Sequence, residues 1–436
     1  MYENTELAGL DRDQLEREAE RQARNMERMH YAGTDLTTLP LPYGLRVSGQ
    51  TPRTQTNRLC DSAWWFDRLR VLAARHREHL RIRDRVVGAG GDPYISAEGL
   101  EEHQIKKSLT ELWARDRFAK DQATGRLCML SDLMAKQVEQ RYAELVTTMK
   151  GLDDKGEAEG AVAVFLTNSL PPGYHPNPSH GRSSWNGSSI VEACEELSRI
   201  ENAFLTDVRR EIPGLFGVRV REPHKDGCPH DHLLFYPQEA ERHILRRLQD
   251  KHFPWQTQQP NRFQILHSAR GSTYVTKYIA KHTLGIEGES DSNARVNAWR
   301  STHGVRSFAF IGLPRGTREM WRTLRRLEEL AEADSSEADR ALQAAAKAGE
   351  FYRFLVLLET TEVQLIREDV VGTYGDTNSR PVGVVTSFGV FIELPRFEIV
   401  TVVELWRIGQ EGGAGRSLPL YAPSPPHPDD PGSGLS

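Results

Sequence analysis

The stretch Glu222-Pro-His-Lys-Asp-Gly-Cys-Pro-His-Asp-His-Leu-Leu-Phe-Tyr236 predicts a strand, a tight turn and a second strand. Asp226-Gly227 is a pair typical of such turns, because glycine adopts positive φ without steric cost. His230 and His232 are two residues apart on the second strand. Since side chains on a strand alternate between faces, both imidazoles point to the same face. The hairpin therefore presents a histidine pair on one surface of a predicted sheet.

The strand before the turn supplies candidates for a third metal ligand. It folds back beside the second strand, so Glu222 and His224 can face the histidine pair. Imidazole suits transition metals, whereas carboxylate suits Mg²⁺ and Mn²⁺. A site of His230, His232 and either Glu222 or His224 therefore favours Mn²⁺ or Mg²⁺. Such an ion would polarise a phosphate oxygen and offset charge in a transition state. The alternative is a surface His-x-His motif that binds no metal.

Two tyrosines with paired lysines follow further along the chain. Tyr274 and Tyr278 lie on one face of a helix predicted at 272–282, and Lys277 and Lys281 each follow a tyrosine by three residues. A phenol with its ordinary pKa of about 10 is a weak nucleophile at neutral pH, and a nearby cation favours the phenolate. The pattern therefore predicts two nucleophiles that act in turn on a DNA phosphodiester and leave a 3′-hydroxyl. A half-buried helix with aromatic core positions is the alternative.

Composition indicates a soluble protein with a locally basic centre. The chain has 436 residues, which predicts two or three domains, and its net charge of −5 is not the overall signature of a nucleic-acid binder. Residues 206–282, however, hold 13 lysines and arginines against 8 acidic residues. Four widely spaced cysteines form no CxxC pair and fit a reducing compartment. Without a signal-peptide core or an apolar run that spans a bilayer, we expect a cytoplasmic protein with no membrane partner.

Periodicity divides the chain into segments of different character. Gly151–Gly160 is rich in glycine and predicts a linker. The predicted segments are a charged helix and loop (1–57), a helical N-terminal domain (58–150), a catalytic domain (155–285), its basic extension (286–335), a region of helices and strands (336–410) and a disordered Pro/Gly-rich tail (411–436).

The central segment alternates strands and helices. The predicted elements are a strand at 161–167, a helix at 188–211, strands at 217–222 and 230–236, a helix at 237–250 and a strand at 262–267. This order is the ferredoxin-like split βαβ arrangement, an α+β fold whose antiparallel sheet contains the His-x-His strand. The region before it is predicted to be all-helical.

Two further groups are candidates for contact with DNA. Tyr174 and His175 lie in the proline-rich loop after the first strand, where they either contact a base or phosphate or serve as loop scaffolding. Arg306 and Arg322 belong to a basic run that either follows a DNA backbone or forms a solvated helix face. The sequence leaves both alternatives open.

Together these motifs resemble a known family. The stretch 222–235, followed by Tyr274-x-x-Lys-Tyr278-Ile-Ala-Lys281, resembles the replication gene A proteins of temperate tailed phages and prophages. These proteins form part of the two-tyrosine branch of the HUH rolling-circle endonucleases. Phe165-Leu-Thr167 with Tyr174-His-Pro176 resembles the family's first motif, although Thr-Asn-Ser-Leu-Pro stands where Thr-x-Thr-Cys-Pro is expected. The segment from Trp299 to Arg322 resembles its downstream block.

The resemblance implies that His230 and His232 bind the metal and that Tyr274 and Tyr278 are the nucleophiles. It also implies nicking of one strand at a phage-type origin, a 5′-phosphotyrosine link, rolling-circle synthesis from the freed 3′-hydroxyl and rejoining. The implied partners are single-stranded origin DNA and a host helicase and polymerase. A relaxase or HUH transposase shares this chemistry. A non-catalytic origin-binding protein would bind without cleaving, and a simple metal-dependent phosphoesterase would cleave without becoming attached to DNA.

Overall fold

The computed structural model describes residues 5–259, 262–266, 271–273, 291–401 and 404. The helices of these residues are α1 Thr5–Ala8, α2 Arg12–Tyr31, α3 Pro52–Leu59, α4 Ser62–Arg83, α5 Ala97–Arg115, α6 Leu130–Ala158, α7 Ile190–Glu211, α8 Arg242–His252, α9 Asp291–His303, α10 Thr317–Arg326, α11 Glu337–Ala348 and α12 Phe351–Leu358. The strands are β1 Arg117–Asp121, β2 Leu127–Met129, β3 Val164–Ser169, β4 Gly217–Pro223, β5 Pro229–Phe235, β6 Phe263–Ile265, β7 Phe308–Ile311, β8 Gln364–Val371, β9 Thr377–Val385, β10 Phe391–Glu393 and β11 Phe397–Thr401.

The central sheet contains five strands in the order β6-β3-β5-β4-β7, and all its neighbouring strands are antiparallel. One face packs against α7 and α8 through a buried apolar cluster that includes Leu197, Phe204, Leu245, Leu233 and Phe235. The other face packs against α6 through a second cluster that includes Leu145, Met149, Phe165, Val220 and Leu234. The predicted order strand–helix–strand–strand–helix–strand is present as β3, α7, β4, β5, α8 and β6. The α+β class is therefore confirmed.

Local sequence signals place the elements that carry the histidine pair. Ser189 caps α7: its side chain accepts from the backbone N–H of Glu192, whose carboxylate accepts from the Ser189 backbone N–H in return. In the turn between β4 and β5, Gly227 has a φ of 82°, a value that favours glycine. The N–H of His224 donates to the carbonyl of Cys228 at 2.7 Å and closes the hairpin. The predicted turn and the predicted helix thus both form.

The prediction that residues 58–150 are helical throughout is wrong at one place, because β1 and β2 form a hairpin there. In the structure the Asp121 carboxylate accepts from the backbone N–H groups of Ala123 at 2.9 Å and Thr124 at 3.0 Å, and Gly125 has a φ of 69°. These contacts form a turn that reverses the chain.

The predicted linker at 151–160 is also wrong, because α6 continues through Ala158. Gly151 and Gly156 of α6 allow neighbouring side chains to pack closely against the helix. A Cβ on Gly151 would lie 2.7 Å from the Cβ of Phe351, and one on Gly156 would lie 2.5 Å from Cδ1 of Tyr236. Glycine lowers helix propensity by about 1 kcal/mol relative to alanine, and here the tertiary contacts outweigh that preference.

The chain divides into two compact units. The larger contains the central sheet, the N-terminal helices and the sheet β10-β9-β8, and the smaller contains the sheet β11-β1-β2. The predicted domain boundaries stay predictions, and the tail predicted at 411–436 lies outside the described residues. Within the described residues, each helix is too short or too polar to cross a bilayer.

Candidate metal centre

The pairing of β4 with β5 brings three potential metal ligands together. Glu222 lies opposite His230 in the register of the two strands, and His232 follows on the same face of β5. The Nε2 atoms of His230 and His232 are 3.0 Å apart, and Oε2 of Glu222 is 3.8 Å from Nε2 of His232. All three side chains are buried. Among the described residues, these three side chains form a group whose ligand atoms lie close enough together to hold a metal ion.

The donor set fits a divalent cation that accepts both nitrogen and oxygen. An octahedral ion with ligands at 2.0–2.1 Å has neighbouring ligand atoms about 2.9 Å apart, close to the separation of the two imidazole nitrogens. Burial lowers the pKa of His232 to about 4, against the opposing effect of Asp231. His232 is therefore neutral at neutral pH, and the neutral imidazole is the form that binds metals.

Neighbouring strands orient the His232 ring. Oγ1 of Thr167 on β3 lies 3.2 Å from Nδ1 of His232, which leaves Nε2 directed at the cluster. The ring of Phe165 stacks on the same imidazole with centroids 5.1 Å apart. Such outer contacts set the tautomer and direction of a metal-binding histidine.

His224 lies beside the cluster rather than in it. Its ring centroid is 4.1 Å from that of His230, but its Nε2 is 3.2 Å from Oγ of Ser169. Burial, followed by the charge of His175, lowers the pKa of His224 to about 4. Of the two candidates for a third ligand, the geometry groups Glu222 with the histidine pair. Ligation by any of these residues stays a prediction.

The loop residues predicted to contact DNA separate in the structure. Nδ1 of His175 lies 3.1 Å from Oδ2 of Asp226, in the turn that precedes β5, and its ring is 4.9 Å from that of His224. Tyr174 instead packs against the apolar cluster beneath α7, and burial raises the pKa of its phenol. His175 therefore lies next to the candidate centre, and Tyr174 does not. A role in DNA binding stays a prediction for both.

The predicted arginines differ in their surroundings. Arg306 is exposed just before β7. Arg322 on α10 donates to the carboxylate of Glu144 at 2.7 Å, and Arg318 donates to the same carboxylate at 2.8 Å. A shared acidic partner offsets part of the positive charge on this helix. The contact of Arg306 and Arg322 with a DNA backbone stays a prediction.

A buried arginine near the cluster was not predicted from the sequence. Arg300 on α9 donates through Nη2 to the backbone carbonyl of Arg221 at 3.1 Å. Burial lowers its pKa to about 10, against the opposing effect of the Glu222 carboxylate. Only the packing of α9 against β4 gives this residue its position, so no local pattern could have identified it.

The candidate nucleophiles Tyr274 and Tyr278, with Lys277 and Lys281, lie outside the described residues. The residues just before them are described. The backbone N–H of Ser272 donates to the Asp153 carboxylate at 3.1 Å, and a Cβ on Gly271 would lie 2.8 Å from Cδ2 of Leu234. On β5, Leu234 lies on the same face as His230 and His232, because these residues are two apart along the strand. Residues 271–273 therefore lie over the face that carries the histidine pair.

Comparison with known proteins identifies the family. The sequence model described as bacteriophage replication gene A protein (GPA) matches residues 46–285. The chain is 28% identical over 370 residues to the replication gene A protein of Escherichia phage P2, covering 75% of this chain and 48% of that protein. It is 28% identical over 323 residues to the replication protein of Haemophilus phage HP1, covering 68% of this chain and 41% of that protein. It is 26% identical over 416 residues to a probable replication endonuclease from a prophage-like region of Salmonella typhi, covering 85% and 50%.

The family match covers more than half of the sequence and includes the β4–β5 hairpin and both tyrosines. This protein belongs to the bacteriophage replication gene A protein family. The chain spans about half the length of the curated relatives it matches. No solved structure matches it significantly.

Proposed function

We propose that this protein is an endonuclease of DNA replication initiation that nicks one strand at an origin, becomes linked to the 5′ end through a tyrosine and later rejoins the strand. The observation that carries the proposal is the buried cluster of Glu222, His230 and His232 on the sheet face over which residues 271–273 lie. Relatives from prophage-like regions that are named probable replication endonucleases support the endonuclease activity.

The proposed catalytic domain is a ferredoxin-like HUH domain. The order β6-β3-β5-β4 supports it, because the fourth strand of the unit lies beside the first and the third lies between the first and the second. Both helices of the unit, α7 and α8, pack on one face of the sheet. The opposite face is left to α6 and the candidate ligands.

The residues that would hold Mg²⁺ or Mn²⁺ are His230, His232 and Glu222, with His224 close beside them. When bound, such an ion supplies Lewis-acid polarisation of a phosphate oxygen. The protein keeps His232 neutral through burial and directs it through Thr167. The separation of the ligand atoms and their mixed nitrogen and oxygen chemistry support this assignment.

The proposed nucleophiles are Tyr274 and Tyr278, and Lys277 and Lys281 stabilise the phenolates. The phenolate oxygen attacks the phosphorus and forms a phosphotyrosine bond, the bond to the 3′ oxygen breaks, and that oxygen takes a proton to become a 3′-hydroxyl. A host polymerase would extend this hydroxyl, with a host helicase opening the duplex. The second tyrosine then attacks the regenerated junction, which forms a second phosphotyrosine bond and frees a new 3′-hydroxyl. That hydroxyl attacks the phosphorus of the first phosphotyrosine, the bond to the first tyrosine breaks, and its phenolate leaves as the strand is rejoined.

The test uses a labelled single-stranded oligonucleotide library, Mn²⁺ and the full chain. We expect a protein–DNA adduct that resists denaturation in the wild type, is lost with EDTA, and is absent from the Tyr274→Phe/Tyr278→Phe variant. The two single variants rank the tyrosines. Tight binding without any adduct or cleavage would favour a non-catalytic origin-binding protein, and cleavage without an adduct would favour a metal-dependent phosphoesterase. A relaxase or transposase would give the same adduct, and its substrate sequence would distinguish it.

A further inference from the structure

Asp231 lies between the two candidate ligands on β5 and points to the opposite face of the sheet. It is fully buried, and the next residues on its face, Leu233 and Phe235, belong to the apolar cluster under α7. A carboxylate in such a place is strongly unfavourable unless a cation and further hydrogen bonds compensate it. The position between the two candidate metal ligands therefore contains a charge that the surrounding residues have to compensate.

Arg221 on β4 provides this compensation. Its Nε donates to Oδ1 of Asp231 at 2.7 Å and its Nη2 donates to Oδ2 at 2.6 Å, so the pair is bidentate. The same guanidinium also reaches α7, where Nη1 donates to Oγ of Ser198 at 2.8 Å and Nη2 donates to the Glu201 carboxylate at 3.2 Å. Arg219 donates to Glu201 at 3.2 Å as well. The ion pair thus connects both strands of the hairpin to one helix.

The ion pair depends on the register that assembles the metal cluster. Arg221 and Asp231 are direct cross-strand partners, and the next pair in the same register is Glu222 and His230. A slip of one residue would move every side chain of a strand to the other face, and a slip of two would separate Arg221 from Asp231. Buried ionic groups that select one register are the best-attested use of such pairs.

We propose that Arg221 and Asp231 are positioning residues whose buried ion pair holds the β4–β5 hairpin in the register that lets Glu222, His230 and His232 bind a divalent cation. The inference rests on the proposed function of that cluster. It assigns the residue between the two histidines a task on the other face of the sheet. Neither residue touches the cation or the DNA.

The test measures the affinity of the full-length protein for Mn²⁺ by calorimetry, together with its melting temperature. We expect Asp231→Asn and Arg221→Met each to raise the Kd for Mn²⁺ about 10- to 100-fold, the range typical of changes to residues that orient metal ligands. Cleavage by these variants recovers at saturating Mn²⁺, because the ligands themselves are intact. Asp207→Asn is the matched control, since Asp207 lies on α7 with Lys251 at 2.6 Å but far along the helix from Ser198. Its Kd for Mn²⁺ stays at the wild-type value.

The Arg221→Met/Asp231→Leu variant separates positioning from stability. An apolar pair of this kind often restores stability, so its melting temperature returns towards that of the wild type. We expect its Kd for Mn²⁺ to stay raised, because the register-selecting pair is gone. A wild-type Kd in this variant, or in folded single variants, overturns the inference. If the wild-type protein binds Mn²⁺ but cleaves no DNA, the proposed function is refuted, and the comparison of Kd values still tests the positioning role. If the wild-type protein does not bind Mn²⁺, both the proposed function and the positioning role are refuted.

Discussion

Replacing His303 by asparagine is expected to make the protein less sensitive to acid. His303 ends α9 and is 6% exposed, and neither ring nitrogen has a hydrogen-bond partner among the described residues. Burial, followed by the charges of Arg75 and His79, lowers its pKa to about 3. An unfolded histidine has a pKa of about 6.5. Between these two values the unfolded chain binds a proton that the folded protein does not, so stability falls as the pH is lowered.

The size of the effect follows from the two pKa values. A pH of 5 is about 1.5 pH units below the pKa of an unfolded histidine, and each unit corresponds to about 1.36 kcal/mol of free energy. His303 therefore makes unfolding about 2 kcal/mol more favourable at pH 5 than at pH 8. Asparagine does not titrate, so the free-energy difference between wild type and variant should shift by this amount over that range.

The assay is urea unfolding from pH 8 to pH 5, followed by tryptophan fluorescence. His243→Asn is the matched control, since His243 is exposed on α8. Between pH 8 and pH 5, the free energy of unfolding should fall by about 2 kcal/mol less in His303→Asn than in the wild type. In the control it should fall by as much as in the wild type. A free-energy difference between wild type and His303→Asn that is constant with pH would refute the argument.

Three other predictions concern single residues. Thr167→Val removes the 3.2 Å contact to the candidate ligand His232 and should raise the Kd for Mn²⁺ about 10-fold or more. The control Thr206→Val, on the exposed face of α7, should leave the Kd unchanged. Equal Kd values for the two variants would contradict this prediction. Glu222→Gln should weaken Mn²⁺ binding in calorimetry, and unchanged binding by the folded variant would exclude this carboxylate as a ligand. Gly151→Ala should lower the free energy of unfolding by about 1–3 kcal/mol, because its Cβ would meet Phe351 at 2.7 Å, and an unchanged value in urea unfolding would show that α6 can shift.

Sequence patterns predicted the elements whose signals are local. The helix expected at 188–211 forms at Ile190–Glu211, because its apolar positions recur at helical spacing and Ser189 provides a cap. The β4–β5 hairpin forms because Asp226-Gly227 suits its turn and the histidines alternate with Asp231 along a strand. The cluster at Glu222 follows from that alternation and the pairing register.

Features that depend on distant contacts could not be predicted in this way. Gly151 was interpreted as a linker residue, although Phe351, two hundred positions away along the chain, is what requires a glycine there. The place of Arg300 beside β4 depends on how α9 packs, and α9 has no strong amphipathic pattern. The partner of Asp231 became evident only when the register of β4 was known.

The measurement that tests the central claim most directly is mass spectrometry of a trypsin-digested protein–DNA adduct formed with Mn²⁺. Cleavage after Arg270, Lys277 and Lys281 places Tyr274 on the peptide 271–277 and Tyr278 on the peptide 278–281, so the two candidates separate. The proposed mechanism predicts a nucleotide joined through its 5′-phosphate to one or both of these peptides. An adduct located on any other peptide, or cleaved DNA with both peptides unmodified, would contradict it.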